Sequence, residues 1–80
     1  MATIGDVIAA NVRGERARRR WDQAQLGAML GWSRGTVSDL ESGRRKVTAD
    51  DLPGLCRAFG ISLARLLDGA EDSDIADLRL

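Results

Sequence analysis

The sequence predicts an all-α protein built from five short helices in one domain. Apolar residues recur at three- and four-residue intervals, and no stretch alternates apolar and polar residues for long. A serine, threonine or aspartate stands at the expected start of each helix, and a glycine follows several of them. A chain of 80 residues buries roughly 60% of its unfolded surface, which limits it to one small core.

The first helix is expected to begin after Thr3. Helical spacing places four apolar residues on its inner side: Ile4, Val7, Ile8 and Val12. Beyond Val12 this apolar pattern weakens, because Glu15 and Arg16 occupy the next turn.

The second helix has well-marked boundaries. Asp22 is a good N-cap, and Gln25 three residues later completes a capping box. Trp21 and Leu26 have the spacing of a hydrophobic staple, and Gly31 provides a left-handed end. The residues expected on its inner side are Leu26, Met29 and Leu30.

A third helix repeats this pattern directly afterwards. Ser33 is the expected N-cap, and Trp32 and Val37 occupy the staple positions. The helix is expected to carry Val37 and Leu40 inward and to end near Gly43. Because three non-helical residues separate the second and third helices, the two must meet at an angle.

Two further helices are expected in the second half of the chain. Thr48 caps a fourth helix that ends at Gly60 and carries Leu52, Leu55, Cys56 and Phe59. Pro53 falls one turn inside it, where a proline removes a backbone hydrogen bond or distorts the turn. Ser62 caps a fifth helix that carries Leu63, Leu66 and Leu67 and ends at residues 68–69.

Charge is unevenly distributed, although 12 basic and 12 acidic residues give zero formal net charge. Residues 1–46 hold nine basic groups against five acidic ones, or +4, and residues 47–80 hold three against seven, or −4. Such a chain can present a positive face to a polyanion, although two solvated faces would show the same charges. The expected division is a domain at residues 1–69 and an acidic tail at 70–80, which forms a short sixth helix or frays.

Composition argues against several functional classes. The sequence has no histidine, one cysteine and no glycine-rich phosphate loop. We therefore expect a protein that is not an enzyme, with no catalytic residues, metal site, cofactor or small-molecule ligand. The longest apolar run, Val7 to Ala10, is too short for a membrane span or a secretory leader, so a cytoplasmic location in a bacterial cell is expected.

Residues 23–43 have the features of a helix-turn-helix. Two helices held at a fixed angle need apolar residues between them, a small residue where they cross and a glycine in the turn. Gly27 and Gly31 fill the last two roles, and the apolar residues are Leu26, Leu30, Trp32, Val37 and Leu40. An αα-hairpin with no role in DNA binding shares part of this pattern.

Three runs of the sequence resemble the λ-repressor-like helix-turn-helix family (Cro/C1-type, XRE): Asp22–Gly27, Leu30–Ser38 and Leu40–Arg44. The similarity extends over about residues 4–69, and Glu41-Ser42-Gly43 is its most discriminating element. The resemblance implies a compact five-helix domain that binds double-stranded operator DNA, usually as a two-fold dimer, to control transcription.

In this family the third helix enters the major groove with its N-terminal residues against base edges. The resemblance therefore implies base-reading roles for Arg34, Gly35, Thr36, Ser38 and Asp39. Arg34 is the expected bidentate partner of a guanine, and Asp39 either accepts from a cytosine or orients Arg34 or Arg44. Gly35 cannot itself read a base, but it lets the backbone approach closely.

The resemblance also implies a phosphate-binding rim. Gln23, at the start of the second helix, resembles the family's phosphate clamp. The other members are Ser33, Ser42, Arg44, Arg45 and Lys46, and some of Arg18, Arg19 and Arg20 can join them. Arg16 and Glu41 match positions that form a structural ion pair between the first and third helices.

Dimer contacts are expected in the fifth helix and the tail, because their apolar residues exceed what a small core requires: Leu63, Leu66, Leu67, Ile75 and Leu78. The principal prediction is a sequence-specific DNA-binding regulator, a bacterial or phage repressor that binds a pseudo-palindromic operator as a homodimer. Two alternatives remain open. One is an antitoxin that represses its own operon, and the other is a protein-interaction module on the same fold.

Overall fold

A computed structural model describes residues 3–70, which form five α-helices and no strand. The helices are α1 (Ile4–Arg18), α2 (Gln23–Leu30), α3 (Arg34–Ser42), α4 (Leu52–Phe59) and α5 (Leu63–Leu66), with a 3-10 turn at Ala49–Asp51. The all-α class and the five helices are thus confirmed. The possible sixth helix, including Ile75 and Leu78, lies outside the described residues.

Local hydrogen bonds define the helix ends close to where the sequence predicts them. One side chain at the start of each of four helices accepts the backbone N–H three residues later: Thr3, Asp22, Ser33 and Ser62. Three helices end at glycines in the left-handed region: Gly31, Gly43 and Gly60. These caps satisfy backbone groups that have no partner within a helix, so the boundaries follow from local chemistry.

The start of the fourth helix differs from the prediction. Thr48 precedes the 3-10 turn, and α4 begins only at Leu52. Pro53 therefore lies in the first turn of α4, where backbone N–H groups have no helical acceptor. The expected loss of a backbone hydrogen bond at Pro53 does not occur.

One apolar core joins all five helices. Its buried members are Ile8, Val12, Leu26, Val37, Leu40, Leu52, Leu55, Phe59, Leu66 and Leu67. Trp21 packs against this core and stacks on Phe59, with ring centroids 5.8 Å apart. Met29, expected on the inner side of α2, is instead 53% exposed, so the inner side of α2 is narrower than predicted.

The dimer surface expected in the fifth helix requires a correction. Leu66 is fully buried and Leu67 is 5% exposed, so both belong to the core of the chain and neither can contact a second copy. Leu63 is 38% exposed. None of the described helices is long and apolar enough to cross a membrane.

Candidate nucleic-acid interface

Gly27, the small residue predicted between α2 and α3, lies against the backbone of the turn that joins these helices. A Cβ at this position would lie 2.6 Å from the carbonyl oxygen of Trp32, so a larger residue would displace the turn. The Trp32 N–H donates to the Gly27 carbonyl at 2.8 Å. Val37 and Leu40 are both buried beneath α3. The third helix is therefore held on its inner side, and its other side faces solvent.

The N-terminus of α3 is open to solvent. Arg34 and Gly35 are exposed, whereas Thr36 and Ser38 are half-buried. The Ser33 hydroxyl accepts the Thr36 N–H at 3.1 Å and lies 3.0 Å from the Thr36 hydroxyl, which orders the first turn. The Arg34 guanidinium makes no ion pair with any residue in 3–70, so it is available to an external acceptor.

The C-terminal turn of α3 presents a second group of polar side chains. Asp39 Oδ1 lies 3.3 Å from Arg44 Nε, and the two side chains are 51% and 72% exposed. Of the two arginines that Asp39 was expected to orient, Arg34 and Arg44, the structure pairs it with Arg44. The Ser42 hydroxyl donates to the Asp39 carbonyl at 3.2 Å. Lys46 is exposed and forms no ion pair within the described part of the chain.

Arg45 is placed differently from its basic neighbours. Its guanidinium carbon lies 4.6 Å from the centroid of the Trp32 ring, and Nη2 lies 3.0 Å from Asp51 Oδ1. Its backbone N–H donates to the Asp39 carbonyl. Arg45 thus joins the turn after α2 to the 3-10 turn, and its guanidinium is already engaged. The Arg45 side chain remains 37% exposed, and its role in phosphate binding stays a prediction.

Glu41 connects three parts of the motif. Its carboxylate, 4% exposed, accepts two hydrogen bonds from Arg16 at 2.8 and 2.9 Å, so the predicted ion pair is formed. The same carboxylate accepts a bond from Gln23 at 3.3 Å, and its backbone carbonyl accepts one from Arg13. Arg16 also donates to the carbonyl of Trp21 at 2.9 Å. The hydrogen bond to Glu41 raises the pKa of Arg16, although burial opposes this effect.

A second buried carboxylate was not predicted from the sequence. Glu15 is 1% exposed and receives hydrogen bonds from Arg18, Arg19 and Arg65. Burial by itself would raise the pKa of Glu15, but the three arginines outweigh it and hold that pKa below its usual value. Arg18 and Arg19 stand at helical spacing from Glu15, which is a usable signal. Arg65 is 50 positions away, and nothing local predicts it.

The chain belongs to the helix-turn-helix domain family, whose pattern matches residues 7–68. It is similar to the clp gene regulator ClgR from Corynebacterium glutamicum (27% identity, TM-score 0.77, 96% of this chain and 94% of that one). It also resembles a hypothetical transcription factor from Neisseria (25%, 0.75, 94% and 84%).

A third similar structure contains nucleic acid. It is the P22 c2 repressor protein in complex with a synthetic operator, with 28% identity, a TM-score of 0.66 and coverage of 86% of this chain and 98% of that one. The family and these neighbours define the class: the chain has the λ-repressor-like helix-turn-helix fold of DNA-binding transcription regulators. Its exposed α3 is the element corresponding to the recognition helix of such folds.

Proposed function

We propose that this protein is a sequence-specific transcription regulator, a bacterial or phage repressor that binds a pseudo-palindromic DNA operator as a dimer. The observation that carries the proposal is the open N-terminus of α3. There, Arg34 is exposed and makes no ion pair within residues 3–70, on a helix that Val37 and Leu40 hold against the core. The regulators from bacteria and the operator-bound repressor among its structural neighbours support this proposal.

Base reading follows from the position of α3. A helix fits the major groove, and an arginine at its first turn can donate two hydrogen bonds to O6 and N7 of a guanine. Thr36 and Ser38 supply shorter donors and acceptors on the same helix. Gly35 carries no side chain beyond hydrogen, which allows the backbone of α3 to lie close to the base edges.

Polar and basic residues on either side of the helix-turn-helix support phosphate binding. Gln23 is the first residue of α2, where unpaired backbone N–H groups favour an anion. On the other edge lie Ser42, Arg44 and Lys46. Arg44 exchanges Asp39 for a phosphate at little cost, because the present ion pair is mostly exposed and exposed pairs contribute little.

Repression would result from occupancy. Two copies related by a two-fold axis place their recognition helices in successive major grooves, about 34 Å apart. A promoter covered in this way is closed to polymerase. Selection of bound sequences from a random duplex pool tests the proposal directly. We expect enrichment of a pseudo-palindrome whose half-sites are separated by about one helical turn.

Two outcomes of this selection would contradict the proposal. Recovery of an unenriched pool, with equal displacement of the protein by any duplex, would remove sequence specificity and favour a protein-interaction module. A single enriched half-site with no symmetry would remove the dimeric operator and leave a monomeric DNA-binding protein.

Arg34 and Arg44 are predicted to make different contributions. Arg34→Ala should weaken binding to the selected site by about 5- to 100-fold and relax the preference at one base position, because it removes a bidentate base contact. Arg44→Ala should weaken binding to all duplexes and reduce the slope of log K against log salt by about 0.9. Titrations of selected and scrambled duplexes at several salt concentrations measure both effects. Equal losses on both duplexes for Arg34→Ala would exclude base reading by that residue.

A further inference from the structure

A groove of about 340 Å³, which we call the basic groove, lies between the start of α1 and the segment that follows α3. It is lined by the apolar residues Ile4 and Val47 and by the basic residues Arg45 and Lys46. Asp6 also lines it, but its carboxylate is engaged in the N-terminal cap of α1. Because a water molecule occupies about 30 Å³ in the liquid, the groove has room for side chains rather than for single waters.

Lys46 is the basic residue of this groove that has no acidic partner. It is exposed, and its side chain forms no hydrogen bond or ion pair with the residues in 3–70. Arg45, by contrast, lies 3.0 Å from Asp51, and the preceding Arg44 pairs with Asp39. The Lys46 amine is therefore open to a carboxylate from outside the described residues.

The described part of the chain ends close to the basic groove. Asn11 of α1 donates to the carbonyls of Leu66 and Asp68 at 2.7 and 2.9 Å, which fastens the chain after α5 to α1. A Cβ on Gly69 would lie 3.7 Å from Val7 Cγ1. Val7 is about one helical turn, or 5.4 Å, from the first residues of α1, which line the groove. The chain therefore leaves the described part beside the groove.

The next four residues carry charge of the sign that Lys46 would attract. Glu71, Asp72 and Asp74 supply three carboxylates, and residues 71–74 contain no basic group. Four residues can span up to about 14 Å, which is more than two turns of a helix. Opposite charges that meet where apolar walls exclude part of the water attract more strongly than they do in bulk water.

We propose that residues 71–74 of this chain dock in the basic groove, where their carboxylates pair with Lys46. Ile75 and Leu78 follow this segment and stay available for contacts with a second copy. Because Lys46 belongs to the proposed phosphate-binding surface, the docked segment and a DNA phosphate compete for the same amine. This competition rests on the proposed function, whereas the docking does not. The acidic segment then lowers the affinity of the protein for every duplex.

The pairing is directly measurable because Lys46 is the one lysine in the sequence. A carbodiimide joins a lysine amine to a carboxylate that is in contact with it. The full chain is treated at micromolar concentration, first without DNA and then with an enriched duplex, and the product of monomer mass is mapped by peptide mass spectrometry. We expect the principal link to join Lys46 to residues 71–74 and the duplex to suppress it. Lys46→Arg is the control, because it keeps the charge but cannot form the link.

Two matched pairs of substitutions distinguish docking from a change in net charge. Asp72→Asn with Asp74→Asn removes two charges from the segment. Asp50→Asn with Asp68→Asn removes two exposed charges that line no part of the groove and make no ion pair within residues 3–70. The first pair should shift the backbone amide signal of Gly5, which lines the groove, and strengthen binding to a scrambled duplex by about 2- to 5-fold, the scale of exposed ion pairs. The second pair should leave that signal in place and strengthen binding less.

The possible failures differ from one another. Links from Lys46 only to the described chain, for example to Asp6, or no link at all, would overturn the inference. A product of twice the monomer mass, with Lys46 of one copy joined to residues 71–74 of another, would place the segment between copies and would also overturn it. A link in the monomer that an enriched duplex does not suppress would overturn the competition with DNA. If the link forms but the protein prefers no duplex, the docking stands and the proposed function fails.

Discussion

Two buried carboxylates engage four of the arginines in residues 3–70. The Glu41 carboxylate accepts from Arg16, and the Glu15 carboxylate accepts from Arg18 and Arg19 of α1 and from Arg65 of α5. A carboxylate removed from water is tolerated only when several hydrogen bonds replace its hydration, and arginine supplies up to five donors. Arg34 is left outside both groups. The chain therefore contains arginines that bind buried carboxylates and arginines that remain free to bind an external group. Only the contacts in the structure distinguish the two kinds.

Substitution of Glu15 tests whether its contacts with the arginines stabilise the folded protein. Because the folded pKa of Glu15 is below its unfolded value, its contribution is present at neutral pH and is lost as pH falls through the folded pKa. Glu15→Gln should lower the free energy of unfolding at pH 7 by about 1–3 kcal/mol, since the charged hydrogen bonds from three arginines are weakened. The variant should also lose less stability than wild type on acidification below about pH 4, near the usual range of glutamate.

Denaturant unfolding at a series of pH values measures this difference. Asp68→Asn is the control, because Asp68 is exposed and its side chain makes no ion pair with the residues in 3–70. The control should follow the wild-type profile. An acid-induced loss of stability that is the same in Glu15→Gln and wild type would show that Glu15 does not contribute to it.

At the scale of helices, the helix-turn-helix depends on close packing between α2 and the turn that leads into α3. α2 and α3 pack so tightly that the backbone of the turn occupies the space beside Gly27. The engaged Arg45 then ties Trp32 to Asp51, which joins the turn before α3 to the turn before α4. α3 is thus positioned by its neighbours at both of its ends, which the proposed base reading with short side chains would require.

Two glycine substitutions should change stability in opposite directions. Gly27→Ala should lower the free energy of unfolding by about 1–3 kcal/mol, because its Cβ would lie 2.6 Å from the Trp32 carbonyl oxygen. Gly35→Ala should raise it by up to about 1 kcal/mol, because alanine favours a helix and the nearest atom to its Cβ is the Ser33 hydroxyl at 3.8 Å. Urea unfolding measures both variants, and equal effects would contradict this account of the crossing.

At the scale of the whole molecule, zero net charge does not prevent a cationic surface. The acidic side chains that balance the arginines include Glu15 and Glu41. Both are buried, so their negative charges are not presented at the surface. Arg20, Arg34 and Lys46 remain exposed in the first half of the chain. A duplex approaching this half meets positive groups, although the sequence as a whole is balanced.

At the same scale we predict that two copies of the chain form a dimer through apolar contacts. With Leu66 and Leu67 in the core, the contacts proposed for a second copy reduce to Leu63, Ile75 and Leu78. Leu63→Ser and the pair Ile75→Ser with Leu78→Ser should each raise the dimer dissociation constant by about tenfold, because each removes apolar area from the interface.

Sedimentation equilibrium at micromolar concentration measures this constant. Met29→Ser is the control, because Met29 is also an exposed apolar residue but belongs to α2, which contributes none of the proposed contacts. An unchanged constant in both test variants would remove α5 and the tail from the interface. A loss caused by Met29→Ser would place the interface beside α2.

The sequence was sufficient for the five helices, apart from the start of α4, and for the helix-turn-helix, and the family resemblance supplied the Arg16–Glu41 pair. The helix ends depend on hydrogen bonds within one turn, such as Asp22 to Gln25, and these leave a readable spacing. The family was recognisable because its characteristic runs, among them Glu41-Ser42-Gly43, follow one another within residues 22–44.

Packing between distant segments decided the rest. Glu15 is paired with Arg65, 50 positions away, and the Arg45 guanidinium lies over an aromatic ring in another turn. Helical spacing placed Leu63, Leu66 and Leu67 on the same side of the fifth helix. The packing of α5 against the other helices buries only Leu66 and Leu67. Burial is a property of how helices meet, and a spacing pattern within one helix does not contain it.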